Sequence, residues 1–244
     1  MTRTILWLIL ASGISLTAHA ANPSALWHVV HDRCVPDEQM HDDPAPCRAV
    51  DIGAGYAVLK DIVGNTQYLL IPTARVGGIE DKAILAPYAP NYFAQAWQAA
   101  AYLRERIGRD IPRTDIALAI NSVHGRTQNQ LHIHIDCIRP DVQKTLEQYK
   151  ATIGPDWAAF PEPLVGQRYR AMRLVQPELG GTNPFRLLAK VVPQPQMGSN
   201  TLVLVGAEFG NKPGFILLDG RADPAAGDTG SGEALQDHSC AIAQ

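Results

Sequence analysis

Asn129-Gln130-Leu131-His132-Ile133-His134-Ile135-Asp136 is the stretch whose reading decides the fold. It alternates strictly. As a strand it places Gln130, His132, His134 and Asp136 on one face and Leu131, Ile133, Ile135 and Cys137 on the other. The second face is apolar and reads as core. The first carries two imidazoles roughly 7 Å apart that point the same way. Just upstream, Asn121-Ser122-Val123-His124-Gly125-Arg126-Thr127-Gln128 is a polar loop with a glycine and a cation. Paired imidazoles beside such a loop suit chemistry on a phosphate.

Working outward, Ile116 to Asn121 is a short apolar strand leading into that loop. Further upstream, Gly55 to Lys60 and Gln67 to Ile71 flank a Gly-Asn breaker and read as an antiparallel hairpin stopped by Pro72. Asn91 is placed to cap a helix from Tyr92 to about Arg106, with Phe93, Trp97, Ala100 and Leu103 near the 3.6 period and Gly108 at its end. Downstream, Pro140 opens a second helix that runs to about Gly154. Strand, strand, helix, strand, strand, helix is an α+β pattern with an antiparallel sheet. The later chain offers a strand over Gln167 to Val175 and a helix over Pro184 to Val192. Thr201 to Val205 and Gly214 to Leu218 are strands that can form a hairpin. A weak duplication of the hairpin–helix pattern is conceivable. Leu26 to Val30 is a short helical or extended piece. Val35 to Pro46, rich in Asp and Pro, reads as a surface loop, and Ala222 to Gly232 as a mobile Gly/Asp/Ala-rich segment.

The N-terminus has the form of an export signal. Arg3 precedes an apolar run from Ile5 to Thr17, and Ala18-His19-Ala20 is a small-x-small cleavage pattern. Residues 1–20 therefore read as a signal peptide or signal anchor, and 21–244 as a single domain with a C-terminal α/β elaboration. The 244 residues carry a net charge of −3, without basic runs, which argues against nucleic-acid partners. Export gives Cys34, Cys47, Cys137 and Cys240 a meaning as disulfides rather than metal ligands, since no finger spacing links them. Of three pairings, Cys34–Cys47 closing a loop and Cys137–Cys240 tying the C-terminus to the His strand is preferred. His28, His31 and His41 read as scattered surface imidazoles, and His238 as structural.

At His132 and His134 the chain resembles the histidine triad superfamily, whose strand reads His-φ-His-φ-His-φ-φ with φ apolar. The second and third histidines match, and Gln130 stands in place of the first. Leu59-Lys60-Asp61-Ile62 and Tyr68 to Pro72 are similar to the superfamily's hydrophobic-Asp-Ile and Phe-Leu-Val-Ile-Pro segments. The nearer resemblance is to a larger, exported branch, the bacterial CDP-diacylglycerol pyrophosphatases. It is carried by Gly55 to Asp61, Gln67 to Thr73, Leu118 to Ser122, Gly125 to Asn129, His132 to Val142 and Gln236 to Cys240.

That resemblance implies a histidine triad-like fold and hydrolysis of CDP-diacylglycerol by water, without metal or cofactor, in the periplasm or at the periplasmic face of the bacterial inner membrane. His132 would attack the α-phosphorus to give a cytidylyl-histidine. His134 would bind a phosphate oxygen or assist the departing phosphatidate. Asn121, Arg126 and Thr127 would stabilise phosphate charge, Asp61 would accept from the ribose, and Lys60 would reach phosphate. Gln130 would line the site but cannot titrate. Two rivals use the same strand: a metal-dependent phosphoesterase with His132 and His134 as ligands and Asp136 on their face, and a cytidylyltransferase to an acceptor other than water. A diacylglycerol substrate also asks for an apolar groove. Trp157, Phe160, Phe185 and Phe209 are candidates for that groove or for core.

Overall fold

The computed structural model describes residues 22–244; the leader read over residues 1–20 lies outside them. The described chain opens with helix α1 (Ala25–Val29), which runs through a π-turn over Val30–Cys34 into α2 (Val35–His41). The loop expected over Val35 to Pro46 is thus helical in its first half. Pro36, which has no N–H, falls where the helix passes from the π-turn into α2. Asp42 ends the helix in the left-handed conformation, at φ 56°. Cys34 is bonded to Cys47, which fastens this helical segment to the start of the sheet.

Three strands follow: β1 (Ala49–Asp51), β2 (Tyr56–Lys60) and β3 (Tyr68–Pro72). The β2–β3 hairpin has the expected antiparallel pairing, with Val58 opposite Leu70. Helix α3 spans Tyr92–Ile107, one residue beyond the expected end. Asn91 caps it through Ala94 N–H, and Gly108 closes it at φ 77°. Phe93, Ala96, Trp97, Ala100 and Leu103 are buried. Their removal from water contributes roughly 1.5–3 kcal/mol for each large side chain. Then come β4 (Ile116–Ile120), β5 (Ile133–Ile138) and α4 (Pro140–Tyr149). The second half supplies β6 (Ala158–Ala159), β7 (Tyr169–Leu174), α5 (Pro184–Ala189), β8 (Asn200–Phe209), β9 (Lys212–Arg221) and β10 (Gln236–Asp237).

Among the described residues these strands form one antiparallel sheet in the order β1-β2-β3-β5-β4-β8-β9-β7-β6, with β10 added beside β5. The duplication that the sequence only suggested is explicit here. Hairpin β2–β3, helix α3 and hairpin β4–β5 give the order β2-β3-β5-β4. Hairpin β6–β7, helix α5 and hairpin β8–β9 give β6-β7-β9-β8. The two units meet antiparallel through β4 and β8, with Leu118 opposite Leu204. Both connecting helices pack on one face of the sheet, in a core that includes Phe93, Trp97, Phe185 and Phe215. The opposite face is covered by α4 through Val142 and Leu146. Trp157 and Phe209 pack against these cores, and Phe160 and Phe185 lie inside them, so none of the four forms an apolar groove.

Only the first unit has a long connection between its last two strands. Residues 121–132 separate β4 from β5, whereas β8 and β9 are joined by a tight turn. The long loop is held by four other parts of the chain. Val123 N–H donates to Gly198, Asn129 N–H to Pro23, Leu131 N–H to Val76 and Ser122 N–H to Gly230, each to a backbone carbonyl. The second disulfide, Cys137–Cys240, ties the C-terminus to β5 and holds β10 against it.

Candidate active site

Strand β5 begins at Ile133, so His132 stands one residue before the ladder and His134 inside it, opposite Ala119 and Leu69. Leu131, Ile133, Ile135 and Cys137 enter the core as the alternation requires. His132 Nδ1 lies 2.7 Å from the carbonyl oxygen of Gln130. A carbonyl only accepts, so Nδ1 carries the proton and the lone pair is on Nε2. Burial pushes the His132 pKa below the ordinary imidazole value, which keeps the ring neutral. The His134 ring stands edge-on to it, with centroids 5.0 Å apart. Burial and the neighbouring His132 push His134 down to about 3.

Both imidazoles line a cavity of about 430 Å³. Asn121, Arg126, Thr127, Asp61 and Glu233 give it a polar wall. Ala25, Leu26, Val29, Leu59 and Leu69 give it an apolar one, and Ile62 and Val63 also line it. Ile62 is 99% exposed and Val63 50%, so an apolar turn projects beside the cavity.

The other residues singled out in the sequence divide. Asp61 and Thr127 reach the cavity, and Asp61 Oδ1 also accepts from Val63 N–H at 3.1 Å, shaping the projecting turn. Arg126 reaches it too, but its guanidinium is spent on a bidentate pair with Glu80, at 2.7 and 2.5 Å. Lys60 does not line the cavity: its Nζ donates to the Asp61 and Gly64 carbonyls, capping the β2–β3 turn. Gln130 does not line it either. The chain has left strand geometry there, and the fully buried amide is taken up by Pro72 O, Ala74 O and Val76 N–H. Asp136 shares the face of His134 yet is turned away from the cavity, accepting from Thr66 Oγ1, Cys137 N–H and His238 Nδ1.

Two site neighbours, Gln67 and Glu233, escaped the sequence reading, and His238, read there as structural, joins them. Glu233 Oε1 accepts from Gln67 Nε2 at 3.0 Å and from His238 Nε2 at 3.3 Å, and its Oε2 accepts from Asn121 Nδ2 at 3.2 Å. These donors, His238 foremost, hold the carboxyl well below the usual range despite its partial burial. His238 faces Asp136 on one nitrogen at 2.7 Å and Glu233 on the other, so both nitrogens carry protons and its pKa is raised to about 10. The residues that bring Glu233 to the site belong to the segment read as mobile. Ser122 Oγ donates to Thr229 O at 2.6 Å, and Gly125 lies so close to the Thr229 and Gly230 carbonyls that a Cβ there would touch them. The one available signal was a lone Glu followed closely by Asp-His-Ser-Cys, which periodicity does not weigh.

A buried neutral imidazole with a free Nε2, a second imidazole beside it and a loop of polar groups around a cavity is the equipment of a group-transfer enzyme. The comparisons with known proteins name the family. The CDP-diacylglycerol pyrophosphatase family model matches residues 21–244, and the chain belongs to that family of hydrolases. A CDP-diacylglycerol pyrophosphatase of Yersinia pestis is 42% identical to it over 254 aligned positions, covering 99% of this chain and 97% of that protein.

Proposed function

We propose that the chain hydrolyses the pyrophosphate bond of CDP-diacylglycerol, giving CMP and phosphatidate, through a covalent cytidylyl-histidine on His132. The observation that carries this is the 2.7 Å hydrogen bond from His132 Nδ1 to Gln130 O, which leaves Nε2 as the free nucleophile. In the first step Nε2 bonds to the α-phosphorus, and the bridging P–O bond breaks with its electrons passing to the phosphatidate oxygen. In the second step water attacks the same phosphorus and gives up a proton to solvent, the N–P bond breaks with its electrons returning to Nε2, and CMP leaves with the new oxygen. Positioning and charge stabilisation carry most of such a reaction. His134, Asn121, Thr127 and the backbone of the Gly125 loop supply them, and Asp61 accepts from the ribose. Arg126 contributes through its field and through the loop shape that Glu80 imposes, since both of its terminal guanidinium nitrogens are paired with that carboxylate.

The same reading takes residues 21–244 as one histidine triad-like catalytic domain. It is supported by the hairpin–helix–hairpin order and by the imidazoles on the last strand of the first unit. It places the enzyme outside the cytoplasm, in phospholipid metabolism. The leader read in residues 1–20 and two disulfides support export. The projecting Ile62–Val63 turn, together with the cavity wall from α1, is the side we assign to the membrane surface. The metal-dependent alternative loses Asp136 as a third ligand, because that carboxylate is turned to Thr66 and His238.

The test is CMP release from CDP-diacylglycerol in mixed micelles by the purified protein, with and without EDTA, alongside His132→Ala. CMP formation that survives chelation and is lost in the variant supports the proposal. Loss in EDTA restored by added metal moves the chemistry to the metal-dependent alternative, and CMP formation at the wild-type rate by His132→Ala removes His132 from it.

A further inference from the structure

The tail carboxylate Glu233 has no part in the two steps just described, yet it sits where three side-chain donors converge. We infer that Glu233 is a positioning residue: acting through Gln67, it fixes His134 as the tautomer that offers an Nε2–H donor to the bound phosphate. This rests on the proposed reading of the site and assigns a role to residues outside it.

Gln67 Nε2 lies 2.8 Å from His134 Nδ1 and 3.0 Å from Glu233 Oε1. An amide nitrogen has two hydrogens and only donates. Both hydrogens are accounted for, one to the carboxylate and one to the imidazole. At 2.8 Å the Gln67 contact is the shortest either ring nitrogen makes, against 3.4 Å from Nε2 to Asn121 Nδ2, so Nδ1 is the bare, accepting nitrogen and the ring proton is on Nε2. The carboxylate is what makes this arrangement unique. With an acceptor at Oε1, the Gln67 amide cannot turn its own oxygen to His134 without setting that oxygen against the carboxylate. The tautomer of His134 is thus chosen by a group that does not touch the ring's cavity-facing nitrogen.

Glu233 is in turn held in register. His238 spans from Glu233 to Asp136, which lies two residues after His134 on the same face of β5. Asn121 locks the other side: its Nδ2 donates to Glu233 Oε2, and its Oδ1 accepts from Glu233 N–H at 3.1 Å. The path Asp136–His238–Glu233–Gln67–His134 begins and ends on one strand. A proton acceptor for water is the other role a cavity carboxylate can fill. Here three side-chain donors already bind the two oxygens and hold the group ionised, so it is a weak base and a firm anchor.

The experiment is a comparison of wild type, Glu233→Gln and Gln67→Met by two readouts: steady-state release of CMP, and nitrogen-15 NMR of the imidazoles in histidine-labelled protein. The His134 resonances are assigned by their loss in His134→Ala. Wild type is expected to show His134 with Nδ1 unprotonated and Nε2 protonated. Both variants should lose that preference. Each should lower kcat on the order of 10²-fold, the cost of one misplaced transition-state donor, with KM changed less than about threefold. Gln67→Met tests the same link if Glu233→Gln does not fold. A wild-type His134 protonated on Nδ1, or an unchanged tautomer in a folded variant, overturns the inference. The NMR arm needs no substrate, so it stands or falls separately from the assigned reaction.

Discussion

Removing His238 should unfold this protein more readily than removing almost any other partly exposed side chain. The reason is Asp136. Its side chain is 0% exposed, and one of its two oxygens is satisfied only by His238, at 2.7 Å. Deleting the imidazolium leaves a buried carboxylate with Thr66 and Cys137 N–H but no charge partner. Breaking a buried pair from one side costs about 3–5 kcal/mol. The raised pKa of His238 gives a comparable upper figure. A rise from the ordinary ~6.5 to about 10 corresponds to about 4–5 kcal/mol at roughly 1.4 kcal/mol per unit. The burial of Asp136 pushes its own carboxyl upward, so part of that gain offsets desolvation and the lower end, ~3 kcal/mol, is the figure we expect. The sign with pH follows from the direction of the His238 shift. Its contribution is fully present below the unfolded imidazole value near 6.5 and falls away as pH rises through about 10. Urea unfolding of wild type and His238→Ala, disulfides intact, should differ by ~3 kcal/mol at pH 6. That corresponds to a Tm difference on the order of 10 °C, and the gap should narrow steadily between pH 7 and 10. In an Asp136→Asn background the same deletion should cost less than about 1 kcal/mol. Equal stabilities at pH 6, or a gap independent of pH, would refute the reasoning.

Further outcomes follow from the same geometry. Because burial lowers the His132 pKa, the acid limb of kcat/KM should lie below the ordinary imidazole value of ~6.5, and a limb at or above 7 would contradict a pre-neutralised nucleophile. Ile62→Asp with Val63→Ser should reduce turnover of substrate in vesicles roughly tenfold while leaving a short-chain, micelle-free analogue unaffected, since each loses an exposed apolar contact worth ~1 kcal/mol or more; equal effects on both substrates would remove the turn from membrane contact. Replacing Cys137 and Cys240 together by Ala opens a closure of 103 residues and should cost about 4–5 kcal/mol in chemical denaturation, with activity falling as β10 and His238 lose their tether.

How far the sequence led depends on which forces set each element. The hairpin at Tyr56–Lys60 and Tyr68–Pro72 and helix α3 carry strong local signals, alternation and a capped 3.6 period, and they stand where those signals put them. Pro and Asp give Val35–His41 the composition of a loop, but it continues a helix that begins at Ala25. Both alternation and the resemblance, which sets it at the first histidine position, put Gln130 in the site. Strict period 2 holds only where a ladder enforces it, and β5 starts three residues later. The two imidazoles were legible because their spacing is local. Glu233 and Gln67 were not, because Glu233 reaches His134 through Gln67, by side-chain hydrogen bonds between residues far apart in the chain that no periodicity encodes. The pairing of β4 with β8 is likewise a long-range choice between two apolar strands, and only the repeated hairpin–helix order hinted at it.

The most direct test of His132 as the nucleophile is to stop the reaction within its first turnover, using CDP-diacylglycerol labelled at the α-phosphorus, and to map the label on the digested protein. A cytidylyl group on the peptide containing His132, acid-labile, formed and lost at rates that match kcat and absent from His132→Ala, is the predicted result. Full turnover with no label on the protein at any time, and with inversion at the α-phosphorus, would mean that water attacks directly and would contradict the account.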